Sequence, residues 1–217
     1  RALPKVQKTY KRGYFEDQYT DGVYSGTVYR DLKSYSSWGE AFKEGEPVYD
    51  NVGDFFQNGA IWDTNLSVAG GTKNSRFFLS GSFFDQDGVV PNTGYKKTTF
   101  RFNGEQKYKM FTFGANAAYS QARTARTLTS AGLFLSNGNG ALYSLYTWAP
   151  SSNMAHYVNE DGTRYRQFGD QLDPWNEVEN PYWIINRDKL KDKTERFTGN
   201  VNVKADITDW WWVSYRM

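Results

Sequence analysis

From Ile61 onward, apolar and polar residues alternate one by one in six separate runs, and short and longer connections join these runs in turn. A two-residue period puts successive side chains on opposite sides of an extended chain, so each run reads as a β-strand with two chemically distinct faces. The runs are 61–69, 76–86, 95–107, 110–121, 195–207 and 210–217. In 195–207 one face carries Phe197, Gly199, Val201, Val203, Ala205 and Ile207, and the other carries Arg196, Thr198, Asn200, Asn202, Lys204 and Asp206. The other runs repeat this division. Leu66, Phe77, Phe100, Phe102, Phe113 and Val213 fall on the apolar face, and Arg76, Lys97, Arg101 and Arg216 on the opposite one. On this reading the charges keep to one face in every strand.

The connections carry independent information. Gly70-Gly71-Thr72-Lys73-Asn74, Lys107-Tyr108-Lys109 and Thr208-Asp209 are tight turns; Asp87 to Gly94 and the segment 122–194 are longer. All the tight turns lie at one end of the strands and both longer connections at the other. Transmembrane barrels show this asymmetry, with short turns on the periplasmic side and long external loops. A structureless connection of about seventy residues is foreign to a compact soluble domain but ordinary as an external loop.

Composition agrees with strands. The chain has 217 residues, with 8 Trp, 16 Tyr, 15 Phe and 20 Gly, a mixture of strand formers and turn formers. Mean hydropathy is −0.75, and no stretch approaches the roughly 18 apolar residues of a membrane-spanning helix. Aromatic residues gather near strand ends (Trp62, Phe83, Tyr119, Trp210 to Trp212), where an interfacial girdle requires them. A net charge of +2 gives no argument for nucleic acid. The absence of Cys and the single His156 remove thiolate and multi-histidine metal sites, cysteine nucleophiles and disulfides. No acid, base and nucleophile converge, so no enzymatic activity, cofactor or metal is expected.

The expected fold is therefore all-β: a segment of a large antiparallel transmembrane β-barrel with long extracellular loops. Residues 1–60 are expected to form a loop-rich extracellular or early barrel segment, 61–121 four barrel strands, 122–194 a long extracellular loop with short helices near 138–148, and 195–217 two more strands. Barrels of this type need about eight strands or more, and open sheet edges call for pairing partners. Six strands are thus expected to be part of a larger unit, which also suits the start at Arg1-Ala2-Leu3-Pro4.

Several segments, taken in order, resemble the SusC/RagA group of TonB-dependent outer-membrane transporters. They are Leu3-Pro4-Lys5-Val6-Gln7, a Gly- and Tyr-rich stretch from Tyr19 to Tyr29, Ser37-Trp38-Gly39, Asn51-Val52-Gly53-Asp54-Phe55-Phe56-Gln57-Asn58-Gly59, and Asn65-Leu66-Ser67-Val68-Ala69-Gly70-Gly71. Phe84-Asp85-Gln86-Asp87-Gly88-Val89-Val90-Pro91, Asn180-Pro181-Tyr182-Trp183 and Ile207-Thr208-Asp209-Trp210 complete the series. Each is weak alone; their order and spacing carry the resemblance. It implies a 22-stranded barrel in the outer membrane of a Gram-negative bacterium, filled by an N-terminal plug and energised through TonB. It also implies a SusD-like surface lipoprotein as lid and oligosaccharide or peptide as cargo. The plug, the TonB-contacting segment and the remaining strands have no counterpart in this chain.

Candidate cargo or lid contacts are loop aromatics: Trp38, Tyr146, Trp148, Tyr165, Trp175 and Tyr182, with Tyr143, Tyr157 and Trp183 beside them. A flat ring stacks on the C–H face of a sugar while neighbouring polar groups hold its hydroxyls. The competing reading is that these rings pack the long loop into a small core of its own. Arg76, Lys97, Arg101, Arg196, Lys204 and Arg216 are expected to face the lumen, pairing with acids or lining a polar path; Leu66, Phe77, Phe100, Phe102, Phe113, Val201, Val203 and Val213 are expected to face lipid. Asp85/Asp87, Asp170/Asp173 and Glu177/Glu179 are carboxylate pairs that could flank a glycosidic bond or hold Ca²⁺; Asp85-Gln86-Asp87-Gly88 lacks the rest of a calcium loop and reads as a turn. Two other functions share the same location, a passive porin and a siderophore or cobalamin receptor. From a different class, a soluble all-β carbohydrate-binding protein would alternate in the same way, its apolar face packed on a second sheet.

Overall fold

The computed structural model describes residues 5–30, 39–129, 140–167 and 179–217. The chain divides into two compact units, one of Asn58–Val89, Thr93–Arg126 and Leu190–Met217, the other of Arg1–Gln57, Val90–Asn92 and Thr127–Lys189.

The first of these is a single sheet. Its strands are β3 (Ile61–Gly71), β4 (Ser75–Asp87), β5 (Gly94–Tyr108), β6 (Phe111–Thr127), β7 (Lys189–Asp206) and β8 (Trp212–Arg216), hydrogen-bonded in sequence order. From β3 to β6 the pairings are antiparallel and run without slippage: Leu66 opposes Gly81, Gly81 opposes Phe100, and Phe100 opposes Tyr119. Lys109, with φ of 51°, turns β5 into β6. At the β7–β8 turn the Ile207 and Thr208 amides donate to the Trp211 carbonyl at 3.0 Å each.

The strands reach further than the alternation indicates. β6 continues to Thr127 and β7 begins at Lys189, so the long connection is shorter at both ends than the 122–194 expected. The reason is chemical. Past Tyr119 and before Phe197 both faces are polar, and a hydrophobic period cannot appear where neither face is apolar. Side-chain pairs add to the backbone ladder there: Gln121 donates to Glu195 at 2.7 Å, and Arg126 pairs with Asp192.

The other unit contains a hairpin of β1 (Tyr14–Thr20) and β2 (Val23–Arg30) and three short helices, α1 (Asn51–Phe55), α2 (Ala141–Thr147) and α3 (Pro181–Arg187). The hairpin turns on Asp21 and Gly22, both at positive φ (53° and 79°), as a two-residue type I′ turn demands. Pro181 opens α3 at a position needing no N–H, and the Asn180 side chain caps it by accepting from the Tyr182 amide at 2.8 Å. Helix α2 falls where short helices were expected. The Asn159-Glu160-Asp161-Gly162 turn closes an antiparallel bridge between Val158 and Arg164.

Hydrophobic burial is confined to this unit. Val52, Phe55, Ala141, Leu145, Trp148, Met154, Ile184 and Ile185 form its core. Asn51 ties the 149–154 segment to that core: its Nδ2 donates to the Ala149 and Ser152 carbonyls at 3.2 and 3.0 Å, and its Oδ1 accepts from the Met154 amide at 3.1 Å. Among the described residues of the sheet, no large apolar side chain is buried.

Candidate functional site

The sheet's distinguishing feature is a continuous apolar band whose large side chains are exposed among the described residues. Register assembles it row by row. Leu66, Gly81, Phe100 and Tyr119 form one row; Val68, Leu79, Phe102 and Ala117 the next; Gly70, Phe77, Gly104 and Ala115 the third. On β7 and β8, Val203 opposes Tyr215 and Ala205 opposes Val213. Large and small residues interleave so that rings lie flat over glycines: a Cβ on Gly104 would meet the Phe102 ring at 2.7 Å, and one on Gly70 the Phe77 ring at 2.9 Å. Leu66 is 77% exposed, Phe100 59%, Val201 51% and Val213 51%. Val203 is half-buried.

The band has a defined edge. Asp85 opposes Lys96 and Lys96 opposes Arg123, on the same face as the phenylalanines. This corrects the expectation that charges keep to one face: they do so within the band, whereas beyond Phe83 and Thr98 the apolar face itself becomes ionic. From Phe111 to Tyr119 the apolar stretch of β6 covers nine residues, within the roughly 9–11 of a tilted membrane-spanning strand.

The opposite face is polar and partly concave. Arg76 opposes Glu105 and pairs with it at 2.6 Å. Asn103 opposes Asn116, whose Nδ2 donates to Asn200 at 2.9 Å. A concavity of about 270 Å³ is lined by Arg76, Phe78, Asn103, Glu105, Asn116 and Asn202. Gly114 at its floor is the one buried residue of the described sheet, and the Asn202 amide occupies the space a side chain there would need. Arg101 lines an adjoining hollow with Asn200. Lys97 opposes Phe84 and Ala122, Lys204 opposes Ser214 and pairs with Asp206 at 2.6 Å, and Arg216 opposes Asn202. Exposed Arg196 alternates with Phe197 along β7. Arg76 and Arg101 alternate with Phe77, Phe100 and Phe102 along their strands and so lie across the pleat from them.

Among the described loop aromatics, Trp148, Tyr146, Tyr165 and Tyr182 belong to or pack against the core of the helical unit. Trp148 is 2% exposed, with its indole N–H donating to the Ser152 carbonyl at 3.2 Å. Its expected place on an exposed loop is therefore corrected: the apolar core takes the ring, and a buried carbonyl satisfies its donor. Tyr182 meets Phe55 edge-on at 5.4 Å and donates to the Asp54 carbonyl at 3.0 Å; its burial raises the phenol pKa. Tyr165 stacks on exposed His156 at 4.3 Å, and Tyr146 packs against the core. Tyr143 keeps an exposed ring. Trp38 and Trp175 lie outside the described residues, as do Asp170, Asp173 and Glu177. Asp85 is paired with Lys96 and Glu179 with Arg164, and among the described residues no group of three His, Asp or Glu could hold a metal ion. The hairpin at Asp21-Gly22 had a sequence signal, the Asp-Gly pair between Tyr- and Val-rich flanks.

An antiparallel meander with an uncovered, bounded apolar band on one face and a polar, concave opposite face has the architecture of a β-barrel segment. Among the described residues no helix is long and apolar enough to cross a membrane, a fact that leaves strand-spanning architectures untouched. No family model matches the chain. Over 175 residues it is 26% identical to "TonB-dependent receptor P3" of Formosa agariphila, an alignment covering 80% of this chain and 17% of that protein. The chain thus spans about a sixth of the length of the curated relative it matches.

Proposed function

We propose that this chain is part of the wall of a TonB-dependent outer-membrane transporter, with the apolar band against lipid and the Arg76–Glu105 and asparagine-lined face toward the lumen. The observation that carries the proposal is the band itself. Six contiguous strands expose phenylalanines, leucine and valines in register on one face, and each would cost about 1.5–3 kcal/mol to leave in water. Lipid removes that cost. The resemblance to the SusC/RagA group and the similarity to a TonB-dependent receptor support the choice of transporter within the barrel class.

In this reading the plug and the remaining strands belong to the same protein beyond this chain. The cargo is oligosaccharide or peptide, TonB supplies energy through the plug, and a SusD-like lipoprotein closes the external side. Tyr143, whose ring stays exposed, is the described loop aromatic best placed to meet cargo or lid. Uptake by cells with and without TonB tests the proposal. Loss of uptake without TonB is the expected result; unchanged uptake would make the barrel a passive porin.

A further inference from the structure

The ionic row at the edge of the apolar band has a composition that the transport reading leaves unused. Asp85, Lys96 and Arg123 stand side by side on β4, β5 and β6. The Gln121–Glu195 contact at 2.7 Å fixes the neighbouring register of β6 and β7. Arg123 lies two residues beyond Gln121 and Lys193 two residues before Glu195, so the same face brings Lys193 beside Arg123. Lys191 follows one step further out, also exposed. Trp62, opposite Asp85 and 69% exposed, ends the row on β3. These residues lie at the end of the strands remote from the three tight turns.

Two of the acids on this face, Asp85 and Glu195, are already engaged. Asp85 accepts from Lys96 at 2.7 Å. Glu195 accepts from the Tyr119 hydroxyl at 3.1 Å and from Gln121, and pairs with Lys193 at 2.8 Å. Asp87 stands further out on β4, on the same face. Arg123 and Lys191 have no carboxylate partner among the described residues. The row is therefore an exposed guanidinium and ammonium pair beside an oriented third cation, directly continuous with Phe100, Tyr119 and Phe197.

We infer that Arg123, Lys191 and Lys193 bind the phosphate of a membrane lipid whose acyl chains lie on the apolar band beneath them. This inference rests on the membrane-spanning reading above. A guanidinium takes two phosphate oxygens at once, and the ammonium groups add charge without demanding geometry. The adjacency selects a lipid over a soluble anion: a free phosphate would satisfy only the cations, and a neutral lipid only the band. Trp62 suits the same level, since indoles favour the boundary between headgroups and acyl chains.

The test uses the intact protein in phosphatidylcholine nanodiscs containing a minor fraction of bis-phosphorylated lipid A, with retained lipid counted by native mass spectrometry after a detergent wash. Arg123→Gln and Lys193→Gln should each lower lipid A retention about fivefold, the effect of removing one cation near a charged headgroup. Lys97→Gln, on the opposite face beside Lys96, should leave retention unchanged. Insertion with equal retention in the double Arg123→Gln/Lys193→Gln variant overturns the lipid site while leaving the barrel intact. Displacement of lipid A by millimolar inorganic phosphate overturns it too, because the site would then take the anion without its acyl chains. Failure of the parent protein to insert overturns the barrel reading and the lipid site with it.

Discussion

Phe102 and Asn103 are consecutive on β5 and separated only by the pleat, so they sample the same depth on opposite faces of one sheet. Phe102 lies between Leu79 and Ala117 in the apolar band; Asn103 lies between Phe78 and Asn116 over the concave face. Placing Arg at 102 puts a guanidinium in the middle of the band, which should cost about 2–4 kcal/mol near a bilayer midplane. The Phe102 ring also rests on Gly104, so part of any loss would come from the missing ring. Phe102→Ala measures that part, and the charge cost is the difference between the Arg and Ala variants. Asn103→Arg enters a polar hollow of about 270 Å³, where a long cation can reach Glu105, and its cost should be below about 1 kcal/mol. Asn202 is a poorer comparison because its amide already fills the space over Gly114. Urea unfolding of the intact protein in lipid vesicles measures all three variants. Equal costs at 102 and 103 would refute the assignment of faces; a large cost at 103 alone would reverse it.

Gly114→Ala should destabilise by about 1–3 kcal/mol through overpacking against Asn202, and Asn202→Ala in the same chain should recover most of the loss, a coupling readable in a double-mutant cycle. Asn51→Leu should cost about 2–5 kcal/mol in the helical unit, since it leaves the Ala149 and Ser152 carbonyls and the Met154 amide buried without their partner; faster hydrogen exchange at 149–154 is the measurement. The Thr163 hydroxyl (2.6 Å) and amide (2.9 Å) hold the Asp161 carboxyl below its ordinary pKa. Its contribution to the 159–163 turn is therefore present above the ordinary carboxylate range and is lost as pH falls through the lowered folded value. Thr163→Val should move the Asp161 titration, followed by NMR, back upward.

The faces of the strands were legible in sequence because a two-residue period is a local property: Phe100, Phe102 and Gly104 alternate with Arg101 and Asn103 whatever surrounds them. Tight turns were legible for the same reason. Their chemistry lies in a few adjacent residues, and the Asp21-Gly22 hairpin carried a comparable signal. The outer halves of β6 and β7 were illegible because both their faces are polar; pairs such as Gln121–Glu195 exist only once the strands meet. The ionic row of Asp85, Lys96, Arg123 and Lys193 was hidden in the same way, since its members come from four strands and only register aligns them. Trp148 shows the converse limit. An aromatic residue in a polar loop suits a binding surface or a small core equally well, and it is the tertiary contact with Leu145, Met154 and Ile184 that assigns it to the core. The sequence alone determined an all-β chain with two unlike faces, whereas tertiary structure decided where the apolar band ends and which rings remain exposed, because those depend on residues distant in the chain.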